Sequence, residues 1–542
     1  MVVYLPSPDF HWKKNSLDRE ILALMLKIFT FVTCLLLSAC MMVGPNYKEP
    51  KKQVAAHWAN KNATVKETPF KDTKWWQEFH DPTLTALINQ SYQNNISLQI
   101  AGVRVLQTRA QLAQSVGQLY PQQQTMIGNY NYNQIGGTSF QQILPPKFDT
   151  ALLGFSANWE IDFWGKYRRA IQANDAAFLA SLAAYDNALV TLTSDTASTY
   201  VKIRTYERQI IITKANIVVQ KAGLKIARAR FNAGQASLVD VEQALTELGQ
   251  TEATMPSLVS NLQKQKDALA FLLGTVPNGI DTVLKKNRGI PRAPGSVAVG
   301  SPKDALVRRP DIHQARLEAV SQSAAIGATQ ANLYPALSLT GTFAFSSNSI
   351  GTSSITDLFQ WGNRNVMTGP ALSWPLLNYG QITNAVRAQD AVFQQALLNY
   401  VNLVLKAQQE VQDNITAYIE AKKAEQFLAK ANTSAIKSLK LALIRYKEGE
   451  TDFTPVLNAE QQQLSVQTSL VNAQGDIPQA LIALYRALGG GWAIRGCNDV
   501  VPEQIKTEMA ARTNWGTLMK QKNHRPPMTK KQKIKDLYLP KW

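Results

Sequence analysis

The sequence predicts a mainly α-helical fold, duplicated in tandem, that carries four β-strands as its share of a membrane β-barrel. Three observations lead to this fold class: an internal repeat at a nearly constant offset, long helical patterns without proline, and four runs of alternating apolar and polar residues. The repeat is marked by Trp159, Gly165, Arg230 and Gly234, which return as Trp374, Gly380, Arg445 and Gly449 (374 − 159 = 215). Each copy therefore has the order helix, strand pair, very long helix.

The amino terminus predicts export from the cytoplasm. Residues 1–39 form a signal peptide region, in which Lys27 precedes the apolar stretch 28–37. That stretch is too short for a spanning helix and is typical of a secretion signal. Residues 1–24 have no signal character, so we expect Met25 to be the true start.

The end of this region predicts a lipid anchor. Leu37-Ser38-Ala39-Cys40 resembles a bacterial lipobox, in which the cysteine becomes the lipid-bearing first residue of the mature protein. We expect a covalent lipid on Cys40 and a lipidated arm over residues 40–80. The alternative is a chance cysteine after a cleavage site. Cys497 is then the one free thiol of the mature chain, which excludes an internal disulfide.

The composition is that of a folded protein and does not favour nucleic acid as a partner. The 542 residues are 45% hydrophobic and carry a formal net charge of +18. Part of this charge lies in a basic C-terminal tail over 489–542. The segment from Cys497 to Trp542 is predicted to be a solvated appendage; contact with phosphate or anionic lipid is the alternative. No basic helix interleaved with aromatic residues supports base recognition, so we expect no nucleic acid partner.

Four runs of period two predict amphipathic strands. They cover 122–133, 151–163, 337–345 and 371–376. Alternation alone is also typical of a half-buried soluble sheet. Strand lengths close to the about 9–11 residues of a membrane strand, long polar connections near 134–149 and 347–366, and a lipobox without a later spanning helix favour the membrane.

Four strands are too few to close a barrel. About eight strands are needed to enclose packed side chains, and open strand edges do not lie in hydrocarbon because their backbone groups would be unsatisfied. Several chains must therefore share one barrel.

Heptad spacing predicts the long helices. Apolar residues step by four and three along Phe178, Leu182, Tyr185, Leu189 and Leu192, and again along Phe393, Leu397, Tyr400, Val404 and Ala407. No proline lies between Pro146 and Pro256, so a helix over about 166–232 is allowed. The helix would be about 100 Å long, which indicates an extended layer of packed helices rather than a globular core.

Each long helix ends at a matched turn, from Arg230 to Gly234 and from Arg445 to Gly449. A glycine just past the last periodic residue is typical of a left-handed helix stop, with arginine favourable beside the helix dipole. A plain C-cap is the alternative to a functional turn. Helices over 238–272 and 453–488 must then fold back, so both turns lie at the end remote from the strands. The predicted repeats are 81–272 and 301–488, joined by a connecting segment over 273–300.

The sequence offers no catalytic site. Its five histidines are scattered without metal spacing, and it has no phosphate-binding loop or nucleophile motif. Glu160 and Asp162 come closest to a carboxylate pair, and solvated charge on a strand explains them. We expect no enzymatic activity, no metal, and no cofactor other than the lipid on Cys40.

Short motifs stand in a specific order between Cys40 and Trp492. They are Val43-Gly44-Pro45-Asn46-Tyr47, Trp75-Trp76, Trp159-Glu160-Ile161-Asp162, Arg308-Arg309-Pro310-Asp311, and the two Arg-aromatic-x-x-Gly turns. Together they resemble the outer-membrane efflux protein family, the TolC-like channels, and within it the lipidated branch that serves RND-type tripartite drug efflux systems.

The resemblance implies a homotrimer in which three sets of four strands form a twelve-stranded barrel in outer-membrane lipid, continuous with a periplasmic α-barrel. It implies that a periplasmic adaptor and an RND-type inner-membrane transporter dock at the tip turns, which map onto Arg230, Gly234, Arg445 and Gly449. Relatives carry acidic rings near the periplasmic mouth. Here 426–447 lacks Asp and Glu, so the candidate mouth residues are Glu448, Glu450 and Asp452.

The predicted function is therefore a passive exit duct for drugs or other small molecules across the outer membrane. Two alternatives remain at the level of sequence. A structural coiled-coil envelope lipoprotein explains Cys40 and the heptads but leaves the strands unused. An outer-membrane duct for a secretion system uses all of the elements, but the lipidated branch resembles drug-pump partners more closely.

Overall fold

The structure of the chain is a computed structural model that describes residues 42–59, 64–68, 70, 74–136, 145–284, 289–496 and 498–519. The predicted signal peptide and Cys40 lie outside these residues. The described chain divides into two compact units. Of the described residues, the strand unit contains those within 42–47, 113–174 and 321–393, and the helix unit contains those within 48–112, 175–320 and 394–519.

Six strands occur in the described chain, and four of them form the sheet of the strand unit. The strands are β1 Val65–Lys66, β2 Gln123–Gln134, β3 Lys147–Glu160, β4 Val297–Ala298, β5 Ala336–Asn348 and β6 Arg364–Ser373. β1 and β4 make a small parallel pair in the helix unit, and the others form an antiparallel sheet in the order β2-β3-β5-β6. Four strands in two pairs are thus confirmed, with β2 and β6 as the two open edges. The fourth run was placed too late in the sequence, because β6 ends at Ser373 and the predicted positions Trp374 and Leu376 lie beyond it.

The register of this sheet aligns like side chains on like faces. Met126 pairs with Phe155, Phe155 with Phe343, and Phe343 with Val366, so one apolar row crosses all four strands. These four side chains are 64%, 63%, 39% and 58% exposed. The neighbouring row, on the opposite face, contains Thr125, Ser156, Thr342 and Met367. One face of the sheet therefore presents a row of large apolar side chains that the described residues leave exposed.

Ten α-helices occur in the described chain. They are α1 Pro82–Asn94, α2 Ile96–Gly117, α3 Lys166–Asn232, α4 Leu238–Leu272, α5 Asp281–Leu284, α6 Pro302–Arg308, α7 Pro310–Gln330, α8 Gln381–Glu448, α9 Thr454–Ala487 and α10 Glu503–Arg512. The two longest, α3 and α8, have 67 and 68 residues. At 1.5 Å per residue each is about 100 Å long, as the repeat pattern predicts.

The predicted seam on α3 is buried. Phe178, Leu182, Tyr185, Leu189 and Leu192 are all 9% exposed or less and pack in one apolar cluster. On α8 the matching seam is buried from Tyr400 onward, with Val404 and Ala407 in a second cluster. Residues 393 and 397 of α8 are only half-buried within this chain.

One window of α3 is long and apolar enough to cross a membrane, with a mean hydropathy of 1.2. Within the molecule 56% of that window is buried, as in the core helix of a folded unit. Length and composition thus single out one helix, and its packing against other protein elements explains its apolar character.

The interpretation of Asp162 as solvated charge is wrong. Its side chain is 6% exposed and lies beyond the end of β3, where it caps helix α3. The Asp162 carboxylate accepts hydrogen bonds from the backbone N–H groups of Tyr167 and Arg168 at 3.0 and 2.9 Å and from Arg168 Nε at 3.0 Å. Glu160 accepts from the Tyr167 hydroxyl at 3.0 Å. Both carboxylates therefore fix the junction between strand and helix.

The predicted solvated appendage also begins later than expected. Arg495 is 3% exposed and donates two hydrogen bonds to Asp186 of α3, at 2.9 and 3.1 Å. Val500 and Val501 are buried in the cluster that contains the α3 seam. The first part of the tail therefore belongs to the core, because its apolar residues and one arginine have partners on α3; residues 520–542 lie outside the described chain.

Candidate functional site

The two tip turns have the same backbone geometry, as the repeat predicts. Gly234 and Gly449 have φ of +69° and +85°, in the left-handed region that favours glycine. In each turn a backbone N–H donates to the carbonyl of the arginine five residues earlier, from Gln235 to Arg230 at 2.8 Å and from Glu450 to Arg445 at 3.0 Å. Both turns are Schellman-type stops of the long helices α3 and α8.

The side chain of Arg230 links one turn to the other. Its Nη1 donates to the backbone oxygen of Tyr446, and its guanidinium carbon lies 4.6 Å from the centre of the Tyr446 ring. Nη2 donates to the backbone oxygen of Gln235 in the first turn at 3.2 Å. Arg230 therefore ties the carboxyl ends of α3 and α8 together within one chain.

A second link runs through the hydroxyl of Tyr446. Tyr446 is fully buried, and its hydroxyl donates to Asp240 Oδ2 of α4 at 3.2 Å. Burial, together with the Asp240 carboxylate, raises the pKa of Tyr446 to about 12, so the phenol remains a donor. The Phe453 ring lies edge-on at 5.2 Å. The turn of the second copy is thus anchored to the first copy from two directions.

The other predicted site residues are exposed. Arg445 Nε and Glu450 Oε2 form an ion pair at 3.1 Å, with both side chains 60% exposed. The Asp452 carboxylate accepts from the Thr454 hydroxyl at 3.3 Å, and Glu448 faces solvent. The structure therefore brings Arg230 and Gly449 close together but leaves Arg445 and the acidic residues on the surface of the second turn.

Sequence reasoning missed the roles of Tyr446 and Asp240. The signal lay in the differences between the copies: Phe231, without a hydroxyl, stands at the position equivalent to Tyr446, and Pro455 at the position equivalent to Asp240 (446 − 231 = 215; 455 − 240 = 215). A link between non-equivalent positions does not follow from a repeat pattern.

A clamp in the strand unit holds the start of the described chain. Arg169 is 4% exposed; its Nε donates to the backbone oxygen of Val43 at 3.0 Å and its Nη2 to that of Gly44 at 3.1 Å. Its Nη1 donates to the Asn46 side chain at 3.0 Å. Gly44 packs so closely that a Cβ there would lie 2.3 Å from the Cα of Gly327. The arm is therefore held at the junction of β3 and α3 from Val43 onward, three residues after Cys40 in the sequence.

Comparison with known proteins identifies the family. Residues 87–275 and 301–490 match the family described as Outer membrane efflux protein, so both copies are covered. Nodulation protein T of Rhizobium leguminosarum bv. viciae is 29% identical over 484 residues, which are 89% of this chain and 96% of that protein. Solvent efflux pump outer membrane protein SrpC of Pseudomonas putida is 28% identical over 474 residues, 85% of this chain and 97% of that protein.

The fold agrees with that of a solved channel. The outer-membrane channel OprN superposes with a TM-score of 0.76 at 27% sequence identity, covering 83% of this chain and 99% of OprN. The two successive family segments, 87–275 and 301–490, each contain one strand pair and one long helix, which accounts for the tandem duplication. The chain belongs to the outer membrane efflux protein family.

Proposed function

We propose that this chain is the exit duct of a tripartite efflux pump, which conducts small molecules passively across the outer membrane. The observation that carries this proposal is the four-stranded sheet with two open edges and one exposed apolar face, joined to helices of about 100 Å. Such a sheet is stable in lipid only when both edges are paired and the apolar row contacts hydrocarbon. Energy for transport comes from the inner-membrane partner.

The open edges support a homotrimer. Four strands cannot enclose a lumen, whereas three chains supply twelve, above the about eight that the smallest barrels need. In this arrangement β2 of one chain pairs with β6 of the next, and the row from Met126 to Val366 continues around the barrel. The first two seam residues of α8, Phe393 and Leu397, are half-buried within one chain and supply a further surface for neighbouring chains.

The proposal also covers the partners that dock at the tip turns and the lipid that anchors the amino terminus. A periplasmic adaptor and an RND-type transporter dock at the tip turns, where Arg445, Glu448, Glu450 and Asp452 offer exposed charges of both signs. A lipid on Cys40 inserts into the inner leaflet beside the clamp at Arg169.

Disulfide crosslinking of the sheet edges tests the shared barrel. In a Cys497→Ser background, a panel of paired cysteines in β2 and β6, beginning with Met126→Cys and Val366→Cys, should give covalent dimers and trimers in native membranes. Thr125→Cys paired with Val366→Cys is the matched control, because Thr125 points to the opposite face. Crosslinks absent throughout the panel, or a purified oligomer that never conducts in planar bilayers even with its adaptor, would refute the duct.

A further inference from the structure

Two glutamates from different copies are buried together in the helix unit, close to the tip turns. Glu247 of α4 and Glu460 of α9 are 5% and 3% exposed. Their sequence neighbours Ala244, Leu248 and Ala459 belong to the apolar cluster that also contains Tyr446. Carboxylates are rarely buried to this extent without a cationic partner, so this pair requires a physical explanation.

The hydrogen bonds around the pair are incomplete. The Gln461 side chain donates to Glu247 Oε2 at 2.8 Å. Glu460 Oε1 is buried and receives no hydrogen bond from the described part of the chain. It faces the backbone of α3 at Gly223, where a Cβ would lie 3.2 Å from this oxygen. A glycine in the middle of a long helix therefore makes room for a carboxyl group that has no donor.

The elements around Glu460 do not neutralise it. α4 contributes Glu247, which carries the same charge. α3 contributes the backbone of Gly223, which the apolar side chain of Leu443 of α8 also approaches. Asp240 and Tyr446, the other titratable groups of the cluster, bond to each other. Burial first, and then the charge of Glu247, raise the pKa of Glu460 to about 7.

We propose that Glu247 and Glu460 form a proton-binding site that holds α4 against α9 beside the tip turns when the pair carries one proton, and loosens them when both carboxylates are ionised. A proton on Glu460 removes the buried charge and converts Oε1 from an unpaired acceptor into a potential donor. Loss of that proton leaves two like charges in an apolar cluster, and the helices must separate or admit water to solvate them. The site lies within one chain and does not depend on conduction through the duct.

The direction of the pH effect follows from linkage. The folded-state pKa of Glu460 lies above the ordinary value of 4.5, so the folded tip binds more protons than the open tip between these two values. The packing contributed by protonation is fully present below about pH 4.5 and is lost as the pH rises through about 7. Because that window includes neutral pH, small changes in periplasmic pH change the population of open tips.

Hydrogen exchange of the full-length trimer in nanodiscs tests the site. Amide exchange rates are measured at about pH 5 and about pH 8.5 for peptides that cover the amino-terminal parts of α4 and α9, where the two glutamates lie. Each rate is divided by that of peptides from the α3 seam, which corrects for the effect of pH on exchange itself. We expect opening to rise by at least about tenfold in the wild-type protein. Glu460→Gln should remove this pH dependence. Glu242→Gln, an exposed change on α4, the helix that carries Glu247, should retain it.

A second measurement covers the case in which a variant fails to assemble. Infrared titration of the wild-type trimer should show a protonated carboxyl band with a midpoint near 7, distinct from that of Asp186, whose pKa burial raises to about 6. The band near 7 should be reduced by chemical or mutational loss of Glu460. Wild-type exchange that does not change with pH, a Glu460→Gln variant that keeps the wild-type slope, or no such infrared band would each overturn the proposal.

Discussion

Replacement of Arg230 by alanine should loosen the tip turns far more than replacement of Arg445, although the two arginines occupy equivalent positions in the repeat. Arg230 donates to the Tyr446 backbone oxygen and stacks over the Tyr446 ring at 4.6 Å, whereas Arg445 pairs only with Glu450 of its own turn. The two substitutions remove the same side chain from the same type of helix end. Any difference between them therefore reports the link between the turns.

The magnitude follows from these contacts. A hydrogen bond from a charged donor contributes about 1.5 kcal/mol, and a partly exposed cation–π contact contributes about 0.5–1 kcal/mol. Arg230→Ala should therefore destabilise local packing at the tip by about 2–2.5 kcal/mol, which is about a 30- to 70-fold increase in local opening. The exposed pair at Arg445 is worth less than about 1 kcal/mol, so Arg445→Ala should change opening by less than about fivefold.

Native-state hydrogen exchange of the amides from residue 441 to residue 456 measures these changes. The trimer must remain intact, which is verified by its mass in detergent, because the comparison concerns local opening only. Arg230→Lys keeps the positive charge but loses the planar guanidinium group with its several N–H donors, so we expect an increase in local opening between those of the wild-type protein and Arg230→Ala. The reasoning is refuted if the two alanine variants open equally, or if Arg230→Ala exchanges like the wild-type protein.

Two further predictions concern the turns and the anchor. Gly234→Val should impair coupling to the adaptor or export while trimers still assemble, because a β-branched residue at φ of +69° is strained by about 1–2 kcal/mol even though its Cβ would meet no neighbour. Gly234→Asn is the control, because asparagine tolerates this backbone conformation. Normal export by the valine variant would show that the turn is a plain helix stop. Cys40→Ala should abolish lipid labelling and leave the barrel able to form, and unchanged labelling would disprove the lipobox.

Much of the fold could be predicted because it depends on periodicity. The bounds of α3, Lys166–Asn232, follow from a glycine before the helix, a glycine after it and a seam with heptad spacing between them. The strands follow from alternation with period two. These features are local in the sequence and occur in both copies of the repeat, so each copy supports the assignment made for the other.

The site was predictable only in part, because its important contacts join non-equivalent positions. Arg230 and Arg445 look identical in sequence, and their different partners depend on how the second turn packs against the first. The burial of Glu247 with Glu460 depends on the space above Gly223, which sequence alone does not reveal. The basic segment from Cys497 onward predicts a solvated tail, but Val500 and Val501 pack in the buried cluster of the α3 seam.

The close approach of Gly44 to Gly327 has a consequence for the order of assembly. Gly327 belongs to the second copy, whereas Gly44 precedes the first, so this contact cannot form until the chain has been synthesised well past its middle. Contacts between residues so distant in sequence form late in folding, because a long loop must first be closed. The amino-terminal arm leaves the translocation machinery first but is seated last. Its docking thus marks a subunit in which both copies have already folded.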